Sequence, residues 1–199
     1  MNEARSHYFD EDPSVPSDPS DVVLTLPDIR FELGTDRGVF GHGRVDSGTK
    51  LLLLSAPPPS STGNLLDLGC GYGPIALTMA HRSPSATVWA VDVNERARSL
   101  CAANARRHSL ANVRVCAPDD VPADVRFSTI WSNPAIRIGK PALHEMLLRW
   151  FSRLDGEAVM VVHKHLGADS LQRWLDEQGF PTERLTTGGG YRILRSTPR

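Results

Sequence analysis

The sequence predicts an α/β fold in which helices cover both faces of a doubly wound, mostly parallel sheet. From residue 64 onward, short apolar segments rich in β-branched residues alternate with longer segments of helical pattern. Short and continuously apolar runs are typical of parallel strands that are buried on both faces. Because crossovers between parallel strands are right-handed, we expect the intervening helices on both faces of the sheet.

The alternating elements follow one another in a regular order. The predicted strands cover residues 64–68, 87–92, 113–116, 127–131 and 157–162. The predicted helices cover residues 74–82, 94–108, 141–153 and 169–178. The stretch 182–196 predicts an antiparallel hairpin that closes one edge of the sheet.

The chain divides into three predicted regions. Residues 1–21 are acidic and proline-rich, and they predict an extended arm. Residues 22–63 predict a β-hairpin, then a helix that starts near Asp46 or Ser47, then a proline-rich linker. We expect this hairpin and helix to pack on the core unit, which covers residues 64–199.

Composition and charge narrow the class of protein. The chain is 40% hydrophobic and 23% charged, as in soluble globular domains. Its three cysteines have no paired spacing, which argues against a disulfide scaffold. The pair His163 and His165 lacks a third ligand, so we expect no metal. No apolar run reaches the ~20 residues that cross a bilayer, and no signal-peptide pattern is present, so we expect a cytoplasmic protein.

The net charge of −1 hides an asymmetry along the chain. Residues 1–40 hold three basic and nine acidic residues, which leaves 19 basic and 14 acidic residues in the remainder. The body of the chain therefore carries a charge of about +5, which permits RNA as a partner.

A glycine-rich turn, LGCGYGP, follows the first strand of the core unit. In doubly wound sheets, ligands bind outside the carboxyl ends of the strands, where this turn lies. Gly69, Gly71 and Gly73 allow the backbone to turn tightly and to approach a ligand closely. A dinucleotide fingerprint is disfavoured because Pro74 stands where a small residue is needed, and the Gly-Lys-Ser/Thr of a phosphate-binding loop is absent.

Three acidic residues follow strands of the same sheet. Asp67 would repel a phosphate but could pair with an ammonium group, and Asp92 is placed to accept hydrogen bonds from both hydroxyls of a ribose. Asp119 is placed to receive the exocyclic amine of an adenine. Together these residues suit a ligand with a ribose, an adenine and an amino acid but no phosphate, and S-adenosylmethionine fits this description. The structural alternatives are that Asp67 caps a helix, that Asp92 starts one, and that Asp120 replaces Asp119.

The chain resembles class I S-adenosylmethionine-dependent methyltransferases, and more narrowly the methyltransferase small domain family, which includes rRNA guanine-N2 methyltransferases of the small ribosomal subunit. The segments that carry the resemblance are HYF, TDRGVFGHGRVDSGTKLLL, LLDLGCGYGPIAL, VDVNERA, SNPAIRIGK and HKHLGA. The resemblance implies a seven-stranded Rossmann-like sheet with a reversed last hairpin. It also implies that the cofactor residues are Asp67, Gly69, Gly71, Tyr72, Gly73, Asp92 and Asp119.

The predicted catalytic residues, Asn133 and Pro134, end the fourth strand of the core unit. The Asn133 side-chain oxygen and the Pro134 carbonyl could accept the two N–H bonds of an amine and hold its nitrogen towards a methyl donor. An ordinary Asn-Pro turn is the structural alternative. Many enzymes that methylate amino nitrogens carry a second proline here, so Ala135 is a departure that removes a backbone constraint from Pro134.

The predicted substrate residues surround this segment and lie near the start of the first helix. They are Ile136, Arg137, Lys140, Asp46 and Thr49. Ile136 could cover the face of a base, and Arg137 and Lys140 could contact RNA phosphates. Surface charge is the alternative for the two basic residues, and helix capping is the alternative for Asp46 and Thr49.

The function predicted by these features is methylation of a guanine exocyclic amine in small-subunit rRNA. The expected cofactor is S-adenosylmethionine, the expected partner is rRNA or the small ribosomal subunit, and a monomer is favoured. One alternative is a methyltransferase that acts on a protein glutamine amide or another amine. The other is a non-catalytic module that binds S-adenosylmethionine or RNA.

Overall fold

The computed structural model describes residues 15–199, apart from the side chain of Arg137. The arm predicted over residues 1–21 therefore falls largely outside the described residues, as does the HYF segment at 7–9. The strands are β1 Ser20–Thr25, β2 Arg30–Thr35, β3 Asn64–Leu68, β4 Thr87–Val91, β5 Val113–Cys116, β6 Phe127–Ser132, β7 Leu154–His163, β8 Thr182–Gly188 and β9 Tyr191–Ser196. The α-helices are α1 Ser47–Ser55, α2 Pro74–Arg82, α3 Glu95–Arg107, α4 Lys140–Phe151 and α5 Ala168–Glu177.

Seven strands form one sheet in the order β5-β4-β3-β6-β7-β9-β8. Strands β3 to β7 pair in parallel, whereas β9 runs antiparallel to both β7 and β8. The predicted α/β fold, with a mostly parallel seven-stranded sheet and an antiparallel C-terminal hairpin, is confirmed. The chain first winds outward from β3 to β5 and then returns to β6, so the order of the strands reverses between β3 and β6. Such a reversal opens a crevice at the carboxyl ends of the two strands.

Strand β7 begins three residues earlier than predicted. Its first residues, Leu154 to Gly156, include an aspartate and a glycine, which are rare inside strands. Here the glycine allows close approach, because a Cβ atom at Gly156 would lie only 2.1 Å from the carbonyl oxygen of Ser128 on β6. The register between β6 and β7 is irregular at the same place.

Two apolar cores lie in the described part of the chain. One joins the β1–β2 hairpin to α1, α2 and α3, and the other joins α4 and α5 to the sheet. The hairpin is bound to the first core through the side chain of Asn104 on α3. This amide accepts a hydrogen bond from Gly34 N at 2.8 Å and donates to the carbonyl oxygens of Gly34 and Tyr72 at 2.9 and 2.8 Å. The N-terminal hairpin is thus joined directly to the glycine-rich turn.

Candidate active site

A cavity of about 970 Å³ opens at the carboxyl ends of β3, β4, β6 and β7. Its walls are mainly apolar, and its polar lining includes Asp46, Asp92, Asn133 and His163. A volume at the upper end of the range for small-molecule sites is large enough for an elongated ligand. The reversal of strand order therefore coincides with a large concave surface.

The glycine-rich turn forms one wall of this cavity. The amides of Gly69 and Cys70 both donate to the carbonyl oxygen of Val91, at 2.8 and 3.0 Å, which joins the turn to the end of β4. Gly69, Gly71 and Gly73 all have positive φ, a conformation in which side chains are strained. At Gly73, with φ 98°, a Cβ atom would also lie 2.8 Å from the sulfur of Cys101, so glycine is required on two grounds.

Asp92 lies beside the turn and lines the cavity. One carboxylate oxygen accepts from Gly71 N at 2.8 Å and the other accepts from Asn94 N at 3.0 Å. Burial raises the pKa of Asp92, although these two amides favour the charged form. Each carboxylate oxygen has a further lone pair, so Asp92 can still accept hydrogen bonds from two ligand hydroxyls.

Asp67 is fully buried behind the turn and does not line the cavity. One of its oxygens accepts from Ala76 N in the first turn of α2 at 2.8 Å, which is the helix-capping arrangement. Its other oxygen has no hydrogen-bond partner among the described residues. Burial raises the pKa of Asp67 well above its usual range. The capping alternative is therefore observed, and the unpartnered oxygen leaves one polar group unsatisfied beneath the turn.

Tyr72 is buried at the other side of the turn, against the loop that precedes α1. A Cβ atom at Gly41 of this loop would lie 3.1 Å from the Tyr72 ring, so glycine allows the loop to pack closely. Burial raises the pKa of Tyr72 far above its usual range, and the nearby Asp46 adds to this shift. Tyr72 lines a small crevice next to Asp46 and Asn133 rather than the main cavity.

The structure does not place Asp119 at the cavity. Its side chain is 89% exposed and forms an ion pair with Arg149 at 2.7 Å, whereas Pro118 and Arg149 themselves line the cavity. The alternative residue, Asp120, accepts from Ala117 N at 3.2 Å and closes its own turn. Neither carboxylate is among the lining residues: Asp119 pairs with Arg149 of α4, and Asp120 closes the turn after β5.

Asn133 lies directly after β6 and lines the cavity. The preceding Ser132 donates to the carbonyl oxygen of Leu68 at 2.7 Å, which holds the ends of β6 and β3 together. The side-chain nitrogen of Asn133 donates to a carboxylate oxygen of Asp46 at 3.1 Å and to the hydroxyl oxygen of Thr49 at 3.0 Å. The side-chain oxygen, which has no such contact among the described residues, remains available to a ligand.

Pro134 is followed by an inverse γ-turn. Its carbonyl oxygen accepts from Ile136 N at 2.8 Å, and Ala135 between them has φ −69° and ψ 69°, close to the values of this turn. The turn fixes the direction of the Pro134 carbonyl without a second proline. Because a carbonyl oxygen has two lone pairs, one remains for a substrate.

The predicted substrate residues lie in different places. Ile136 and Asp46 line the main cavity, whereas Thr49 is buried and lines only the adjoining crevice. Lys140 is exposed and outside the cavity lining, and the side chain of Arg137 lies outside the described residues. The helix-capping alternative is observed for Asp46, whose side chain accepts from Thr49 N at 2.9 Å.

The sequence did not single out Tyr191, which lines the cavity together with His163 and His165. Tyr191 begins β9 and pairs with His163 at the end of β7, and the two rings meet edge to face at 5.0 Å. The pairing of β9 with β7 brings Tyr191 to the site. The sequence predicted a hairpin at one edge of the sheet, but no local pattern indicated which strand it would pair with. Within residues 15–199, no group of three potential ligands could hold a metal ion, and no helix is long and apolar enough to cross a membrane.

Comparison with known proteins identifies relatives along nearly the whole chain. A family model described as the methyltransferase small domain matches residues 30–195. The chain is 35% identical over 195 residues to the protein described as uncharacterized protein YbxB of Bacillus subtilis. The alignment covers 96% of this chain and 97% of that protein.

More distant relatives are longer than this chain. This chain is 29% identical over 150 residues to ribosomal RNA small subunit methyltransferase C of Shewanella amazonensis. The alignment covers 72% of this chain but 43% of that protein. Among solved structures, the T. thermophilus 16S rRNA N2 G1207 methyltransferase in complex with AdoMet and guanosine superposes with a TM-score of 0.77. The identity is 22%, with 94% of this chain and 52% of that chain covered. The chain thus spans about half or less of the length of these two relatives.

Proposed function

The chain belongs to the methyltransferase small domain family and is an S-adenosylmethionine-dependent methyltransferase, and we propose that it methylates the N2 amine of a guanine in small-subunit rRNA. The observation that carries this proposal is the pair of hydrogen-bond acceptors at the end of β6. The Asn133 amide is held by its nitrogen, so its oxygen is available beside the Pro134 carbonyl, and Asn133 and Pro134 both line the cavity.

The residues around the glycine-rich turn fit S-adenosylmethionine. The half-buried carboxylate of Asp92 would hold the ribose, because both of its oxygens retain a lone pair on the cavity side of the turn. Gly69 and Gly71 would let the cofactor approach the backbone closely, and Val93 and Ile138 supply apolar lining of the kind that an adenine ring requires. Asp67 lies beneath the turn rather than in the cavity, where its contact with Ala76 N holds the start of α2 against the turn.

The side chains at the end of β6 would orient the substrate amine. When it is bound, S-adenosylmethionine supplies an electrophilic methyl group. The Asn133 oxygen and the Pro134 carbonyl would accept the two N–H bonds of the amine and direct its lone pair away from β6. Both acceptors would favour a localised lone pair on the nitrogen. The methylated amine is acidic enough to lose its proton readily, so this chemistry needs no strong general base among the lining residues.

The relatives support RNA as the substrate. The Shewanella amazonensis protein is named as a methyltransferase of small-subunit ribosomal RNA, and the T. thermophilus structure holds guanosine. The position of the chain's charges also supports it, because the body of the chain carries an excess of basic residues over acidic ones.

The proposal is tested by transfer of labelled methyl groups to separate cell fractions. Small ribosomal subunits, naked small-subunit rRNA, large subunits and soluble protein are taken from cells in which the gene is deleted. We expect label in small subunits or their RNA, recovered after digestion as N2-methylguanosine. Asn133→Ala should lower the rate on the order of 10²-fold while binding S-adenosylmethionine as the wild type does. Label only in protein would favour a glutamine amide as the substrate, and binding without any transfer would favour a non-catalytic role on RNA.

A further inference from the structure

The side-chain amide of Asn133, which follows β6, is held by residues from a distant part of the chain. Asp46 and Thr49 belong to the start of α1, which is 84 to 87 residues before Asn133 in the chain. A single oxygen of Asp46 accepts from Asn133 Nδ2 at 3.1 Å and from Thr49 N at 2.9 Å, so the carboxylate caps α1 and binds the amide at once. Thr49 Oγ1 accepts from the same amide nitrogen at 3.0 Å.

These contacts determine which end of the Asn133 amide faces the substrate. A carboxylate can only accept hydrogen bonds, so an amide turned by 180° would place its oxygen against an oxygen of Asp46. The observed orientation instead satisfies both amide protons and leaves the oxygen free. Because the acceptor is charged, its hydrogen bond is stronger than a neutral one, and it polarises the amide so that the Asn133 oxygen accepts more strongly.

The fold holds α1 firmly in this position. Gly48, between Asp46 and Thr49, packs against the ring of Tyr191, where a Cβ atom would lie 2.7 Å from a ring carbon. Thr49, Leu52 and Leu53 are buried, so the inner face of α1 is part of the first apolar core. The backbone that carries Asp46 is therefore held beside Asn133 by the packing of α1 against β9 and the first core.

We propose that Asp46 and Thr49 are positioning residues that hold the Asn133 amide with its oxygen towards the cavity. The site then presents only acceptors to the reacting nitrogen, which restricts the substrate to a group with two N–H bonds, such as an exocyclic amine. A ring nitrogen without a proton or a hydroxyl group cannot satisfy both acceptors. This inference rests on the proposed methylation of an amine.

The test compares two double variants at the same two positions. Asp46→Ser with Thr49→Val retains a good N-cap residue and a β-branched side chain. It removes the acceptor at position 49 and replaces the carboxylate at position 46 with a shorter, uncharged hydroxyl that no longer extends to the Asn133 amide. Asp46→Asn with Thr49→Ser retains an oxygen at each position. With S-adenosylmethionine and small ribosomal subunits as the substrates, we expect the first variant to lose kcat on the order of 10- to 10²-fold. The second should stay within about fivefold of the wild type.

Two controls separate positioning from damage to the fold. The two double variants should have the same dissociation constant for S-adenosylmethionine and the same thermal midpoint. Equal kcat values for the two double variants would overturn the inference, as would a loss of cofactor binding as large as the loss of kcat.

A measurement without turnover decides the orientation itself. The side-chain ¹⁵N–¹H₂ signal of Asn133, assigned by its disappearance in Asn133→Ala, should exchange slowly with water in the wild type and rapidly in Asp46→Ser with Thr49→Val. Rapid exchange in the wild type would overturn the inference even if the variants failed to fold. Failure of the wild type to label any RNA would instead refute the proposed substrate and leave this result standing.

Discussion

Ala135→Pro tests whether the inverse γ-turn alone aims the Pro134 carbonyl. Ala135 has φ −69°, which lies within the −65 ± 15° that a proline ring imposes. Its amide donates no hydrogen bond within the described part of the chain, so the substitution removes none. Ala135 also lines the cavity and does not belong to either apolar core. We therefore expect the variant to keep the turn and the methyl-transfer rate within about threefold of the wild type.

The expected change in stability follows from the unfolded state. A proline at a compatible position raises the free energy of unfolding by about 0.4–1 kcal/mol, because the unfolded chain has fewer conformations to lose. For a domain of this size, that corresponds to about 1–4 °C in the thermal midpoint. The matched variant Ala135→Gly should move the midpoint in the opposite direction by a similar amount, and it should lower the rate because the turn is less well fixed.

The assay measures kcat on the labelled RNA fraction, the dissociation constant of S-adenosylmethionine and the thermal midpoint for both variants. A large loss of kcat in Ala135→Pro with unchanged cofactor binding would refute the argument. It would mean that the Pro134 carbonyl must leave the γ-turn, or that the space beside Ala135 is needed by the substrate.

Three further predictions concern the cofactor side of the cavity. Gly73→Ala should lower the free energy of unfolding by about 2 kcal/mol, because φ is 98° and the new methyl group would lie 2.8 Å from Cys101 Sγ; an unchanged urea midpoint would contradict this. Burial raises the pKa of Asp67 in the folded state, so folding favours its neutral form. Its contribution to the free energy of unfolding is therefore complete below about pH 3.8, the ordinary pKa of an aspartate, and is lost as the pH rises through the folded-state pKa. Asp67→Asn cannot ionise, so its free energy of unfolding should depend less on pH than that of the wild type, as measured by urea titration from about pH 4 to 8. The same dependence on pH in the variant and the wild type would contradict this account. Asp119→Ala removes an exposed ion pair with Arg149, so it should change the free energy of unfolding by less than about 1 kcal/mol. The dissociation constant of the cofactor, measured by calorimetry, should change by less than about threefold. A larger change in that constant would mean that the loop turns inward on binding.

The local pattern of the sequence was sufficient for most elements of the fold. The bounds of β3, β5 and α2 agree with the structure at both ends, because each segment has a clear apolar pattern and a glycine, proline or polar residue beside it. The start of β7 was missed because the first residues of that strand are stabilised by contact with β6 rather than by their own propensity. Propensity is a weak guide wherever packing between strands decides the conformation.

The candidate site shows the same division between local and distant causes. Asn133 and Asp92 could be placed from the sequence, because each directly follows a parallel strand and the topology brings such positions to one edge. Asp119 could not, since the direction of its side chain depends on Arg149, which lies 30 residues further along the chain. The contact between Asp46 and Asn133 was equally hidden, because it joins two segments that share no pattern in sequence.

The two hydrogen-bond acceptors of the site are oriented by different contacts, one local in sequence and the other long-range. The Pro134 carbonyl is aimed by a turn of three residues, whereas the Asn133 oxygen is aimed by a carboxylate from the N-terminal region. A change in one contact leaves the other in place, so the site should lose one hydrogen bond at a time. An amine that already carries one methyl group has only one N–H bond, and it would have to place its methyl group against one of the two acceptors. The geometry proposed to select a primary amine would also oppose a second transfer, so the expected product is the monomethylated base.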